Sequence, residues 1–319
     1  MNVTVKIGDE GITLEKIQGF FVGIIERVQI VSLARVRVRD KLRILGIAIL
    51  QLVTKTIRKQ FSSLDKKIKV ITEKLWRGTV IEIDGIKYTL LDFESFEIVS
   101  SVLAKFESVM SMWLTPRRRE VLVDIGAHIG KYTLTAAKVV GNEGMVVAIE
   151  PHPVNYQVLQ RNIGLNNLEN VIALNLAAWN TDCELKLFTG DVAGHHSAKV
   201  NRRLGWVKVE ARVMDHVLKE LRLGRVDWIK IDVEGAECEV LCGLDETISK
   251  YKPKIITEVF YENVHARAQN VEEMKRFMKD HEYGLIRISP FFEDYVYFLC
   301  IPFSYNLENH GIMKIYREL

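Results

Sequence analysis

Residues 121–133 constrain this chain of 319 residues more than any other stretch. Apolar residues lead to Asp124, a Gly-x-x-x-Gly turn runs from Gly126 to Gly130, and a helix-forming segment follows. This order is typical of an α/β sheet that presents backbone N–H groups and a carboxylate to a nucleotide-like ligand. A second apolar run ends at Glu150, 20 residues after Gly130, where such a fold places the acid that binds a ribose diol.

The spacing within this turn argues against a dinucleotide. The dinucleotide fingerprint is G-x-G-x-x-G, whose second glycine would stand at His128, where an imidazole would crowd a pyrophosphate. Asp124 would repel the same pyrophosphate, but it suits the ammonium of an amino-acid moiety. Asp124 and Glu150 together therefore favour a cationic nucleoside, S-adenosylmethionine, over NAD. An ordinary βα turn in a sheet that binds no nucleotide is the alternative.

The second half of the chain alternates between strand and helix patterns, which predicts a parallel, doubly wound α/β sheet. The predicted strands lie near 121–125, 145–149, 171–175, 226–232 and 254–260, and the helices near 130–140, 153–165, 214–222, 235–249 and 270–281. Two further strands, 284–289 and 295–301, are joined by a connector too short for a crossover helix, so they must be antiparallel. The prediction is a Rossmann-like, seven-stranded mixed sheet with an antiparallel last strand.

Cofactor contacts are predicted at the carboxyl ends of the strands, where ligands of such sheets bind. We expect Asp124 to bind the ammonium and Glu150 the ribose, while Thr133, in the first helical turn, suits the methionine carboxylate. Residues 175–178 are expected beside the adenine. The predicted cofactor-binding set is Asp124, Gly126, Ala127, His128, Gly130, Thr133, Glu150, Asn155, Asn175 and Ala178.

Candidate catalytic residues follow the fourth and fifth strands. Lys230, Asp232 and Glu234 alternate at period two, and charges on a buried strand are costly unless they pair or bind a ligand. Functionally, Asp232 would face the sulfonium or the substrate hydroxyl; alternatively, a Lys230–Asp232 pair seals the rim of the sheet. Glu258 ends the next strand and would point into the same crevice.

A hydroxyl that attacks a methyl group needs a base or a metal ion. His195, in a glycine-bounded segment between the third and fourth strands, suits a general base. A divalent ion bound by Asp232, Glu234 and Glu258 is the other route, and the sequence leaves the choice between base and metal open.

Three blocks resemble the FkbM family of S-adenosylmethionine-dependent methyltransferases. They are Val-Asp-Ile-Gly-Ala-His-Ile-Gly at 123–130, Ile-Glu-Pro-His-Pro at 149–153 and Ile-Lys-Ile-Asp-Val-Glu-Gly-Ala-Glu at 229–237. The resemblance covers residues 119–260 and implies a class I methyltransferase fold, with S-adenosylmethionine as cofactor and acids at Asp232 and Glu258. It also implies O-methylation of a hydroxyl on a saccharide, glycan or lipid-linked sugar, or on a similar small molecule. The family usually has asparagine where His128 stands.

Positive charge is concentrated in residues 24–70, which carry twelve Lys and Arg and three acids; with a chain total of +3, the segment is +9 and the remainder −6. Residues 37–68 are predicted to be helical, and the apolar centre at 44–50 is too short to span a bilayer. The segment is expected to contact an anionic membrane surface, the body of the protein or a second copy in a homodimer. RNA is less favoured, because Phe61 is the only aromatic residue of the segment.

Composition and motifs limit the remaining choices. Apolar residues make up 48% and charged residues 27% of the chain, its four cysteines are too few for a disulfide framework, and no signal pattern opens the sequence, so we expect a cytoplasmic protein. The predicted divisions are a basic segment at 1–75, a hairpin (79–91) and helix (94–114) within 76–118, a methyltransferase domain at 119–305 and a tail at 306–319.

The function predicted from these features is that of an O-methyltransferase. The alternatives are an RNA methyltransferase that grips RNA with the basic segment, and a non-catalytic binding subunit, against which the intact acids argue. The sequence has no [Asn/Asp/Ser]-Pro-Pro-aromatic motif and no Pro-Cys pair, which disfavours methylation of an exocyclic amine or of cytosine C5.

Overall fold

The computed structural model describes residues 4–7, 10–13, 80–89, 108–189, 197–198, 205–260, 264–289 and 295–304. Two compact units divide the chain, Met1–Phe106 and Glu107–Leu319. The described part of the first unit consists of two antiparallel hairpins, β1 (Thr4–Ile7) with β2 (Glu10–Thr13) and β3 (Val80–Ile83) with β4 (Ile86–Thr89). Asp84 and Gly85 both have positive φ between β3 and β4, which confirms the turn predicted there.

Several predictions lie outside the described residues. These are the helix over 37–68 with its apolar centre, the segment 94–107 of the predicted helix at 94–114, residue His195, and the tail at 306–319. The predicted divisions at residues 75, 118 and 305 stay predictions. Where the structure describes helices, none of them is long and apolar enough to cross a membrane.

The second unit is built on a seven-stranded sheet with helices on both faces. Its elements in chain order are α1 (Ser108–Trp113), β5 (Val121–Ile125), α2 (Lys131–Val140), β6 (Met145–Ile149), α3 (Pro153–Leu165), β7 (Val171–Leu174), β8 (Ala177–Trp179), β9 (Cys183–Phe188), β10 (Trp206–Val213), α4 (Met214–Glu220), β11 (Trp228–Ile231), α5 (Glu237–Cys242), α6 (Asp245–Tyr251), β12 (Lys254–Phe260), α7 (Val264–Asp280), β13 (Tyr283–Arg287) and β14 (Tyr295–Pro302).

The order of strands across the large sheet is β13-β14-β12-β11-β5-β6-β7. Strand β14 runs antiparallel to both of its neighbours, and the remaining pairs are parallel, which confirms the predicted mixed sheet. The chain builds outward from β5 to β7 and then returns to add β11 on the other side of β5. This switch in direction opens a crevice at the carboxyl ends of β5 and β11, where ligands of such sheets bind.

Side chains of the central strands alternate between two hydrophobic cores. Val123 and Ile229 pack in one cluster with residues of α4 to α7, whereas Leu122 and Trp228 pack in another with residues of α1 and α2. Both faces of these strands are therefore covered, and this explains why they read as continuous apolar runs rather than as alternating patterns.

Two local features differ from the predictions. A three-stranded sheet, in the order β8-β10-β9, occupies part of the region for which the sequence predicted no strands. The helix predicted over 235–249 is instead two helices, α5 and α6, separated at Gly243. A Cβ at Gly243 would lie 2.1 Å from the carbonyl oxygen of Trp179, so this tertiary contact requires glycine. The four cysteines are free, as predicted.

Candidate active site

The site begins at two neighbouring parallel strands that carry opposite charges. Asp124 on β5 and Lys230 on β11 are register partners, and both are almost completely buried. Lys230 Nζ lies 3.2 Å from Asp124 Oδ1 and 3.5 Å from Asp232 Oδ2, and it donates a 2.7 Å hydrogen bond to the carbonyl oxygen of Gly126. One ammonium therefore connects the end of β5, the glycine turn and the end of β11.

The charge state of Lys230 is decided by two opposing effects. Burial lowers the pKa of the ammonium, but the carboxylates of Asp124 and Asp232, with a smaller contribution from Glu258, outweigh burial and raise the pKa above its ordinary value. Lys230 therefore remains charged at neutral pH. Because its side chain is only 1% exposed, we regard it as a positioning residue rather than one that touches substrate.

The glycine turn is fixed by the close approach of β11. Gly126 has φ +79°, and a Cβ there would lie 1.8 Å from the carbonyl oxygen of Asp232. The sequence placed Gly126 in the predicted cofactor-binding set, and the structure shows that the neighbouring backbone of Asp232 also requires glycine at this position. Gly130, at φ +100°, is similarly confined by the side chain of Leu159.

The left-handed backbone conformation of the glycine turn limits which residue types can occupy it. His128 has φ +52°, in the region where Asn, Asp and His are enriched among residues other than glycine. This backbone requirement accounts for a histidine at a position where the family usually has asparagine. Ala127 is buried against Ala148 and Leu159, and its backbone N–H donates to Ile149.

The start of α2 provides backbone donors and one engaged hydroxyl. Gly130 caps the helix without a side-chain hydrogen bond. The first-turn amides of a helix have no acceptor within the helix, and such amides suit a ligand carboxylate. The Thr133 hydroxyl donates a 2.6 Å hydrogen bond to Asp124 Oδ2. Because a hydroxyl has one hydrogen to donate, Thr133 orients Asp124 here, and its predicted contact with the methionine carboxylate stays a prediction.

Glu150 follows β6 and is only 5% exposed. Its two carboxylate oxygens each accept one backbone hydrogen bond, from His128 N at 2.8 Å and from His152 N at 2.9 Å. Burial raises the pKa of Glu150 to about 7, against the opposing effect of these two N–H groups. The carboxylate is thus held in a fixed orientation, with the remaining lone pairs suited to a ribose diol.

The other predicted cofactor residues surround Glu150 or lie farther away. Asn155 hydrogen-bonds Glu150 through its side chain. Asn175 Nδ2 donates to the carbonyl oxygens of Glu150 at 2.8 Å and Pro151 at 3.0 Å, so it shapes the chain around the acid. Ala178, in β8, packs in the larger hydrophobic core, and its contact with adenine stays a prediction.

Three carboxylates converge where β11 and β12 reach the crevice. Asp232, Glu234 and Glu258 each offer an oxygen, and these oxygens lie within 4.8 Å of one another. Glu234 reaches this position through a turn in which its φ is +55°, not through the period-two strand that the sequence predicted. In the described part of the chain, no other set of three or more acids, histidines or cysteines is close enough to share a metal ion.

The site has an excess of negative charge. Among the described residues, Asp124, Asp232, Glu234 and Glu258 supply four carboxylates near the ammonium of Lys230, so these five side chains together carry a formal charge of −3. Such a site attracts cations, whether a sulfonium or a divalent ion. Asp232, Glu234 and Glu258 would hold a divalent ion, because carboxylate oxygens are the ligands that Mg²⁺ and Mn²⁺ prefer.

Two neighbours of the cluster were not predicted from the sequence. Ser197 is fully buried, and its hydroxyl donates a 2.7 Å hydrogen bond to the carbonyl oxygen of Glu234. Tyr132 lies with its ring centroid 5.4 Å from Lys230 Nζ. The only signal for Tyr132 was its place in the first turn of α2, and Ser197 gave none. His195 lies outside the described residues, so its predicted role stays a prediction.

The seven-stranded mixed sheet, the glycine turn at a switch in strand order and the acid after β6 are the features of the class I methyltransferase fold. The family described as "Methyltransferase FkbM domain" matches residues 124–285, about half of the chain. The chain belongs to this family, as the resemblance of its three sequence blocks predicted.

Three relatives are similar in sequence. Methyltransferase 1 of Beauveria bassiana is 31% identical over 146 residues, covering 39% of this chain and 58% of that protein. Methyltransferase sdnD of Sordaria araneosa is 32% identical over 171 residues, covering 44% and 66%. The hexuronic acid methyltransferase AglP of Haloferax volcanii is 22% identical over 195 residues, covering 60% and 79%. The chain thus spans less than two thirds of the length of the first two relatives.

The raised pKa of Glu150 predicts pH-dependent cofactor binding. The ionised carboxylate accepts hydrogen bonds from ribose hydroxyls better than the protonated acid, so the affinity for S-adenosylmethionine should weaken as the pH falls below about 7. Titration calorimetry at about pH 6 and about pH 8 measures this difference. Glu150→Gln should weaken binding by about 1.5–3 kcal/mol and flatten the pH dependence. An equally steep pH dependence in Glu150→Gln would assign the titration to another group.

Proposed function

We propose that this methyltransferase transfers the methyl group of S-adenosylmethionine to a hydroxyl of a saccharide. One observation carries the proposal: Asp232, Glu234 and Glu258 converge within 4.8 Å beside the glycine turn, at the carboxyl edge of the sheet, where ligands of such sheets bind. Carboxylates in that place suit an acceptor that must lose a proton. The similarity to a hexuronic acid methyltransferase supports a sugar as acceptor.

The reaction that these residues would assist is a direct displacement. The acceptor oxygen forms a bond to the methyl carbon as the bond between carbon and sulfur breaks, and the sulfonium leaves as a neutral thioether. The hydroxyl proton passes to a base, for which Asp232, Glu258 and His195 are the proposed residues. A divalent ion on the three carboxylates would instead lower the pKa of the hydroxyl. The excess negative charge also attracts the cationic cofactor to the crevice.

The acceptor class is tested by a methyl-transfer screen. Cofactor carrying a radiolabelled methyl group is incubated with glycan, lipid-linked sugar and RNA fractions, and the label in each fraction is counted. Transfer to a saccharide supports the proposal. Label confined to RNA would establish the alternative, in which the +9 segment at residues 24–70 binds RNA. A preference for lipid-linked sugar over the same sugar when free would support contact of that segment with an anionic membrane.

Neutralising an acid of the cluster should slow chemistry more than it weakens cofactor binding. Asp232→Asn and Glu258→Gln keep the size of each side chain but remove the charge, so we expect kcat to fall about 10²- to 10⁴-fold. The cofactor Kd should change much less. Kinetics on the acceptor found by the screen, with calorimetry for the cofactor, measure both. The matched control is Glu272→Gln, an exposed acid on α7 that pairs with Lys275.

Metal removal separates the two chemical routes. Activity lost in EDTA and restored by Mg²⁺ or Mn²⁺ would favour a metal ion on the three carboxylates. Activity that is insensitive to EDTA but lost in His195→Ala would favour the histidine base. If Asp232→Asn and Glu258→Gln keep near wild-type turnover, neither acid has the proposed role.

A further inference from the structure

Trp206 is an exposed tryptophan on a strand that is linked by residue pairing to the acid cluster. It opens β10 and is 53% exposed, and it is the largest exposed apolar side chain in the described part of the chain. A single exposed apolar residue is ordinary and needs no explanation. Trp206 differs from other exposed apolar residues because its position in the three-stranded sheet links it to the acid cluster.

A row of side chains connects Trp206 with the acid cluster. Trp206 pairs directly with Phe188 on β9, and Phe188 forms an antiparallel bridge with Ser197 on its other side. Residues that pair directly across antiparallel strands point to the same face, so these three side chains share one face. Ser197 ends the row at the backbone of Glu234, through its 2.7 Å hydrogen bond. Two strand spacings separate Trp206 from Ser197, roughly 10 Å.

The same face presents a cation next to the ring. Lys186 belongs to β9, and its Nζ lies 4.6 Å from the centroid of the Trp206 ring. Lys208 lies directly opposite Lys186 in the register, and its ammonium pairs with Glu184 at 2.7 Å. Glu184 therefore compensates the charge of Lys208, whereas the ammonium of Lys186 lies over the indole. The combination is an exposed aromatic ring with a positive charge over it.

We propose that Trp206 is a binding platform for the acceptor, and that the acceptor is an anionic saccharide. The inference rests on the proposed function. A sugar ring packs its C–H face on the side of the indole that Lys186 does not occupy, since aromatic surfaces bury large apolar area in a fixed orientation. The flexible Lys186 side chain moves off the ring to the rim of the indole, where its ammonium binds the carboxylate or phosphate of the sugar. Through Phe188 and Ser197 the platform is linked to the backbone of Glu234, so the saccharide is bound about two strand spacings from the residue that contacts the acid cluster.

The test compares Trp206→Ala with Trp206→Phe, and uses Phe303→Ala as the control. Phe303 is also an aromatic residue and is 69% exposed. It follows β14, which runs antiparallel to the other central strands of the seven-stranded sheet, so it lies at the edge of that sheet opposite the acid cluster. The probes are a glucuronate-containing disaccharide, the neutral disaccharide cellobiose and a hexose 6-phosphate. Binding to protein loaded with S-adenosylhomocysteine is followed by saturation-transfer NMR, and methyl transfer by the labelled cofactor.

The expected result is a change in KM rather than in kcat. Trp206→Ala should raise the KM and the dissociation constant for the preferred probe about tenfold or more, as expected for a truncated aromatic anchor. Trp206→Phe should retain most of the affinity, and Phe303→Ala all of it. Lys186→Gln should weaken binding of the anionic probes and leave cellobiose unaffected, and comparison of the uronate with the phosphate identifies the anionic group.

The outcomes separate this inference from the proposed function. If a probe is methylated and Trp206→Ala leaves its KM unchanged, the platform is wrong while saccharide methylation stands. If the disaccharide binds in a manner that depends on Trp206 but accepts no methyl group, the platform stands and saccharide methylation fails. If the wild-type protein neither binds nor methylates any of the three probes, the platform is overturned.

Discussion

Lys230→Met should destabilise the protein by about 3–5 kcal/mol, the usual result of removing one partner from a buried ion pair. Methionine fits the volume left by the lysine stem, but it leaves the Asp124 carboxylate, which is completely buried, without the ammonium at 3.2 Å. The carbonyl oxygen of Gly126 also loses its 2.7 Å donor. Urea denaturation monitored by circular dichroism measures the free energy of unfolding.

The control and the rescue variant make this result specific. Lys275→Met removes an exposed partner of Glu272 and should change the stability by less than about 1 kcal/mol. The double variant Asp124→Asn with Lys230→Met removes both buried charges and should recover part of the lost stability. If Lys230→Met is as stable as Lys275→Met, the lysine does not hold the strand ends together.

The central sheet was predictable because its strands obey rules that act locally. Strands that are buried on both faces read as uninterrupted apolar runs, and β5, β6 and β12 were placed at their observed boundaries. The short connector between the last two strands required an antiparallel pair, as β13 and β14 show. Acids that follow parallel strands collect at one edge of the sheet, which is why Asp232 and Glu258 were expected to meet.

The three-stranded sheet was not predictable in the same way. Its strands carry many exposed residues, so their composition resembles that of a polar loop. Trp206, Lys208 and Glu210 alternate with less exposed neighbours on β10, but this pattern is decisive only once β8 and β9 are known to pair with it. The break at Gly243 likewise depends on a carbonyl oxygen of Trp179, which is distant in sequence.

The sequence proposed residues for the site but could not give the contacts among them. The sequence identified Asp124, Thr133 and Lys230 as separate contributors, and it weighed Lys230 only as a partner of Asp232. The register of β5 against β11 places Lys230 opposite Asp124, and this register is a tertiary property that spacing along one chain does not give. The hydroxyl of Thr133 donates to Asp124 because α2 begins directly after the turn that follows β5, which brings its first turn next to the end of that strand.

Gly126→Ala should have a large effect on both folding and cofactor binding. The residue has φ +79°, where an L side chain is strained, and the new Cβ would lie 1.8 Å from the carbonyl oxygen of Asp232. That oxygen belongs to backbone held by the Asp232 N–H bond to Ile125, so the ends of β5 and β11 must separate to relieve the clash. We expect the free energy of unfolding to fall by more than about 4 kcal/mol, a large effect of the kind that core overpacking and backbone strain produce.

Gly164→Ala is the matched control for this substitution. Gly164 lies inside α3, and a Cβ there would meet no atom within 4 Å, so alanine should stabilise the protein by about 0.5–1 kcal/mol. Thermal unfolding and calorimetry with S-adenosylmethionine distinguish the two variants. Because the glycine turn lies against the carbonyl group of Asp232 and is predicted to bind the cofactor, Gly126→Ala should lose cofactor affinity even in the fraction that remains folded. A folded Gly126→Ala protein with wild-type affinity would show that the turn and the end of β11 are not mechanically coupled.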